Sequence, residues 1–225
     1  DAGVDQRGRP YLAIELVHGE RIDRYCDERR LDLRERVRLF LQVLDAVRYA
    51  HTHLVIHRDL KPANVLVNER GEAQLLDFGI ARLQASPTEK PAADLRTKTA
   101  TEFGARAMTL RYASPEQVQG RTLSVASDVY SLGVMLYELL TGTSPYVTQK
   151  DSSAEIETAI IDGQLRLASR ARINDAAAVA RGSTSAKLSR SLQGDLDAVL
   201  LRSLAKEMRD RFSSVDAFHQ DLSRW

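Results

Sequence analysis

Phosphoryl transfer to a hydroxyl needs three things: a carboxylate to orient the acceptor, a cation beside the transferring group, and oxygen ligands for Mg²⁺. One stretch of this chain carries all three. It contains His57-Arg58-Asp59-Leu60-Lys61-Pro62-Ala63-Asn64, followed after a short turn by Asp77-Phe78-Gly79. A charged triplet standing alone is more often a solvated face or a capping cluster. Two such runs in this order, with an asparagine placed between the aspartates, form a specific signal.

The two runs resemble the catalytic loop and the metal loop of protein kinases. The resemblance implies that Asp59 orients the substrate hydroxyl and that Asn64 and Asp77 hold Mg²⁺. It also implies that Lys61 stabilises the γ-phosphoryl group of ATP and marks serine/threonine acceptors. Tyr112-Ala113-Ser114-Pro115-Glu116 is similar to the motif that closes the activation segment, and Asp128 to Gly133 to the start of the central helix. By the same resemblance Glu116 pairs with Arg211, Asp128 accepts backbone N–H groups of the catalytic loop, and Thr109 bonds Asp59 and Lys61. His57 and Phe78 are then structural. Arg58 before Asp59 implies activation by a phosphate, for which Thr97, Thr99 and Thr101 are the candidates. Residues 14–19 (IELVHG) resemble the hinge. Backbone groups of Glu15 and Val17 would bind the adenine edge, Ile14 would be the gatekeeper, and Leu66 would lie beneath the base.

Arg24 to Asp27, Ala113 to Gln117 and Gly194 to Ala198 narrow the resemblance to bacterial eukaryotic-like serine/threonine kinases. The implied fold is mainly α (α+β), a kinase large lobe with short β hairpins around the catalytic loop. Residues 1–19 would be the last small-lobe strand and the hinge, and residues 20–225 the large lobe. No glycine-rich loop, strand lysine or helix glutamate can be matched before the hinge. The chain is therefore expected to begin mid-gene and, as it stands, to transfer little phosphate. Expected partners are ATP and protein substrates, with a second copy as partner in a homodimer or in autophosphorylation in trans. Two rivals remain: a small-molecule phosphotransferase, which normally lacks the Lys61-Pro62 and Ser114-Pro115-Glu116 features, and a non-catalytic scaffold, which would need neither nucleotide nor Mg²⁺.

Elements must position these residues. From Asp32 to His53, Val37, Phe40, Leu41, Leu44, Val47 and Tyr49 recur at roughly helical spacing, with Asp32 and Glu35 spaced as a capping box. Val125 to Leu140 is apolar on nearly every side, which predicts a helix buried in the centre of a lobe. Pro10 to Val17 reads as a strand, and short strands flank the turn at Asn68 to Gly71. Gln84 to Thr101 reads as a loop, Ala168 to Leu192 shows weak periodicity, and Leu192 to Leu204 and Val215 to Trp225 read as helices.

The remaining composition limits partners. Lys and Arg total 32 against 31 Asp and Glu, a net charge of +1 that gives no field to recruit nucleic acid or an anionic membrane. No apolar run is long enough to span a bilayer, and no signal peptide is visible. Cys26 stands alone, which fits a reducing compartment and a cytoplasmic location. His18, His51, His53 and His219 show no metal-ligand spacing with it.

Overall fold

A computed structural model describes residues 2–4, 8–12, 16–76, 110–148 and 152–225. The described residues are mostly helical, with small antiparallel sheets. Strand β1 (Ala2–Val4) pairs with β2 (Pro10–Leu12). The strand expected over Pro10 to Val17 is present at Pro10–Leu12, but residues 16–19 form no ladder and Leu16 is 76% exposed. Gly19 runs so close to the Val67 carbonyl that a Cβ there would lie 2.8 Å from its oxygen.

The chain then enters β3 (Glu20–Arg21), the edge of a three-stranded sheet completed by β4 (Val65–Val67) and β5 (Ala73–Leu75) in the order β3-β4-β5. Arg21 faces Leu66 and Val65 faces Leu75. The β4–β5 turn closes where Gly71 adopts φ +76°, a left-handed angle that suits glycine.

Helix α1 (Ile22–Glu28) follows β3 directly and buries Ile22 and Cys26, four residues apart on one face. Helix α2 (Leu33–Thr52) begins at the expected capping box: Asp32 accepts the Glu35 N–H at 2.9 Å, and Glu35 accepts the Asp32 N–H at 2.8 Å. Val37, Phe40, Leu44 and Val47 are buried as the spacing predicted, but Tyr49 is 69% exposed.

A short helix α3 (Pro115–Val118) precedes α4 (Val125–Thr141), which is buried on nearly every side. Helix α4 ends where Gly142 takes a left-handed φ of +73° and its N–H bonds the Glu138 carbonyl. The rest of the fold is α5 (Ser153–Ile161), α6 (Asp175–Val179), α7 (Ser185–Leu192), α8 (Asp195–Ser203) and α9 (Val215–Ser223). Helices α8 and α9 match their expected segments, whereas α6 and α7 rise from the weakly periodic stretch.

One apolar core joins these elements around α4. Phe40 of α2, Phe218 of α9 and Phe212 are all fully buried, with the rings of Phe212 and Phe218 stacked at 5.0 Å. Each such ring contributes about 1.5–3 kcal/mol through burial. Among the described residues, no helix is long and apolar enough to cross a membrane.

Candidate active site

The site is built outward from the first turn of α4. Asp128 is 1% exposed, and its carboxylate accepts three hydrogen bonds. The His57 N–H reaches Oδ2 at 2.8 Å and the Arg58 N–H reaches Oδ1 at 3.0 Å. His51, near the end of α2, places Nε2 2.8 Å from Oδ2. The two backbone bonds match the expectation for Asp128, and the histidine was not foreseen. A lone histidine in a helix gives no sequence signal for such a contact.

Between His57 and Val65, buried and reactive residues interleave. His57, Leu60, Pro62 and Val65 are buried and anchor the loop, while Asp59 and Lys61 stay partly exposed. The His57 ring sets Nε2 3.0 Å from the Leu76 carbonyl, which can only accept. Nε2 therefore carries the proton, and Nδ1 is left to accept the Asp59 N–H at 3.4 Å.

The Lys61 Nζ lies 2.8 Å from Asp59 Oδ2. Asn64, in the 3₁₀ turn Pro62–Asn64, donates Nδ2 to the Asp59 carbonyl at 2.7 Å and to Oδ2 at 3.2 Å. Asp59 Oδ1 has no partner among the described residues. The Asn64 carbonyl in turn accepts the Leu76 N–H at 2.8 Å, which ties the residue preceding Asp77 to this loop. Among the described residues, the arrangement is a carboxylate oriented through one oxygen with a cation beside it, the group needed to orient an acceptor hydroxyl.

Of the other expected residues, Val17 is half-buried and Leu66 is half-buried in β4, where its Cβ lies 3.1 Å from the place a Gly19 Cβ would take. Asp77, Phe78, Thr109, Ile14, Glu15, Thr97, Thr99 and Thr101 lie outside the described residues.

The Glu116–Arg211 pair is present and two-pronged, with Arg211 Nη1 to Glu116 Oε1 at 2.7 Å and Nη2 to Oε2 at 2.8 Å. Arg211 also donates to the carbonyls of Ala126, Ala205 and Lys206. Burial alone would raise the Glu116 carboxyl pKa, but hydrogen bonds from Arg211 and Ser127 outweigh it and hold the group below the ordinary value.

Two further buried arginines had no counterpart in the sequence reading. Arg36 of α2 donates to the carbonyls of Cys26, Leu31, Leu139 and Ala180. Arg181 donates to those of Ala177, Glu138 and Leu140. Both approach Asp27, at 2.8 and 3.7 Å. Burial, reinforced by the charge of Arg36, lowers the Arg181 pKa to about 10. These residues border a cavity of about 270 Å³ whose wall includes Pro62, Tyr112 and Glu138. There the Tyr112 hydroxyl donates to Glu138 Oε2 at 2.5 Å, and burial raises the carboxyl pKa of Glu138 despite that bond.

Residues 4–223 match the protein kinase domain family. The chain is 30% identical to the probable serine/threonine-protein kinase PknB of Lactococcus lactis, over 95% of this chain and 29% of that protein. It is 31% identical to the serine/threonine-protein kinases PknB of Mycolicibacterium smegmatis and Mycobacterium tuberculosis, over 96% of this chain and 30% of each. The chain thus spans under a third of the length of these curated relatives.

Proposed function

The chain belongs to the protein kinase family, and from that premise we propose that it transfers the γ-phosphoryl group of ATP to serine or threonine hydroxyls of proteins. The observation that carries the proposal is the Asp59 carboxylate, held through Oδ2 by Lys61 and Asn64, with no partner on Oδ1 among the described residues. In this reading Asp59 accepts the proton of the acceptor hydroxyl, whose oxygen bonds the γ-phosphorus of ATP as the bond from that phosphorus to the β–γ bridging oxygen breaks and ADP leaves. The Lys61 ammonium then faces the transferring group, and Thr109 would hold Lys61 and Asp59 in register.

The donor set fits Mg²⁺. The Asn64 side-chain nitrogen is committed to Asp59, which leaves its side-chain Oδ1 for a hard cation, and Asp77 would add carboxylate oxygens. Held there, Mg²⁺ would offset the negative charge of the phosphates. Backbone groups of Glu15 and Val17 would meet the adenine edge, with Leu66 beneath the base. On this assignment residues 20–225 form the large lobe, and residues 1–19 the hinge with the strand before it. The same reading makes Thr97, Thr99 and Thr101 candidate acceptors when a second copy acts in trans.

The test is transfer of labelled γ-phosphate from Mg-ATP to a generic protein substrate by the full-length gene product, compared with Asp59→Ala. Transfer by wild type, lost in the variant and on chelating Mg²⁺, supports the reading. A wild-type protein that neither transfers phosphate nor binds Mg-ATP overturns it.

A further inference from the structure

We infer that Gln117 is a positioning residue for Asp59, acting through the peptide unit that joins Arg58 to Asp59; this inference rests on the kinase reading above. Arg58 sits at φ +67°, a left-handed conformation that side-chain-bearing residues avoid. Such a backbone persists only where its surroundings hold it.

The hold on Arg58 and its flanking peptide comes from three directions. The Arg58 N–H goes to Asp128 Oδ1 at 3.0 Å, and the Asp59 N–H to His57 Nδ1 at 3.4 Å. The Arg58 carbonyl, on the opposite edge of the same peptide unit as the Asp59 N–H, accepts Gln117 Nε2 at 2.8 Å. That unit ends at the Cα of Asp59. Rotation of it toward a relaxed backbone would turn the carbonyl to water and swing the Asp59 carboxylate away from the acceptor.

The residue type follows from the geometry. The same side-chain amide that donates to Arg58 also accepts the Ser114 N–H through Oε1 at 2.8 Å, completing the capping box of α3. Glutamate could accept from Ser114 but not donate to Arg58, and methionine could do neither. Only a primary amide of this length serves both ends. Gln117 therefore joins the loop that carries Asp59 to the start of α3, which the Glu116–Arg211 pair fixes in the core.

The test uses the full-length gene product and four variants. Gln117→Glu keeps the cap, at a helix N-terminus that tolerates negative charge, and removes the donor. It is expected to lower kcat about 10- to 100-fold, as displacement of a catalytic group by about 1 Å does. KM for ATP and for peptide should stay within about 2-fold, because ground-state binding is untouched. Gln117→Met should lose kcat similarly and also melt lower. Ser114→Ala, which weakens the cap without touching Arg58, should melt lower while keeping its kcat. A wild-type kcat in Gln117→Glu overturns the inference. So does a kcat loss in Ser114→Ala that matches it, since the effect would then follow the cap. Asp59→Ala sets the baseline: a wild-type rate no higher than that of Asp59→Ala overturns the kinase reading and this role with it. An active wild type with an unaffected Gln117→Glu overturns the role alone.

Discussion

Replacing Arg211 by methionine tests the buried ion pair most directly. The Arg211 side chain is fully enclosed and that of Glu116 is 3% exposed. Methionine approximates the length of the arginine stem but leaves the Glu116 carboxylate buried without its two-pronged partner. It also abandons the carbonyls of Ala126, Ala205 and Lys206. Removing one member of a buried pair costs about 3–5 kcal/mol. At about 2–4 °C per kcal/mol for a chain of this size, the melting temperature should fall by about 6–20 °C. The double variant Glu116→Gln with Arg211→Met should recover about 0.5–3 kcal/mol of that loss, because the orphaned charge is gone. The pH dependence has a definite sign. The folded Glu116 pKa lies below its ordinary value, so its contribution is complete above the usual carboxylate range and disappears as pH falls through the folded value. The gap between wild type and Arg211→Met should therefore narrow in acid. Thermal and urea unfolding across pH measure this. A shift under about 3 °C that is flat with pH would refute the reasoning.

Three other perturbations have defined outcomes. Asp128→Asn turns one acceptor oxygen into a donor facing the N–H groups of His57 and Arg58 or the His51 ring, costing about 1.5–3 kcal/mol per lost charge-assisted bond. Both kcat and melting temperature should fall, and an unchanged kcat in steady-state assays would refute the claim that Asp128 aims the loop. Gly133→Ala should destabilise by about 1–3 kcal/mol despite the helix preference for alanine. The added Cβ would collide with Ser203 Oγ and stand 2.9 Å from its Cβ, so Ser203→Gly should restore most of the loss in urea unfolding. For Lys206, burial outweighs the pull of Asp162 and, together with the charge of Arg211, lowers the folded pKa to about 8. Above that pH the folded chain releases a proton that the unfolded chain keeps, so stability relative to Lys206→Met should rise between about pH 8 and 10; a flat difference refutes it.

What was legible in the sequence had a local physical signature. Helix α2 announces itself because Asp32 and Glu35 satisfy the first free N–H groups reciprocally and apolar residues recur at its period. Its period misled at Tyr49, whose position turns off the stripe marked by Phe40, Leu44 and Val47. Helix α1 went unread because seven residues with two buried positions cannot display periodicity. Helix α7 went unread for the same reason, with only Leu188 and Leu192 buried. The link from Glu116 to Arg211 was reachable only through family resemblance, since no local pattern joins positions 95 apart. Arg36 defeated pattern reading altogether. A charged residue counts as solvent-facing in any binary pattern, yet this one shares the inner face with Phe40 and spends its guanidinium on carbonyls from three other segments.

That burial has a consequence for how the site is aimed. Apolar packing between α2 and α4 is non-directional and would tolerate a slide along the helix axes. Polar ties at both ends remove that freedom. Near the start of α2, Arg36 donates to the Leu139 carbonyl at the far end of α4; near the end of α2, His51 bonds Asp128 in the first turn of α4. Arg36 and His51 stand about 22 Å apart along one axis, and Asp128 and Leu139 about 17 Å apart along the other, at 1.5 Å per residue. A slip of one turn, about 5.4 Å, would break both ties at once, costing a buried guanidinium and a buried carboxylate one charge-assisted bond each. A hydrophobic replacement for Arg36 could match its contribution to stability but not its choice of register. Register matters here because the carboxylate that receives His51 also receives the N–H groups of His57 and Arg58. Any error in how α2 sits on α4 is therefore passed, through one buried aspartate, to the position of Asp59.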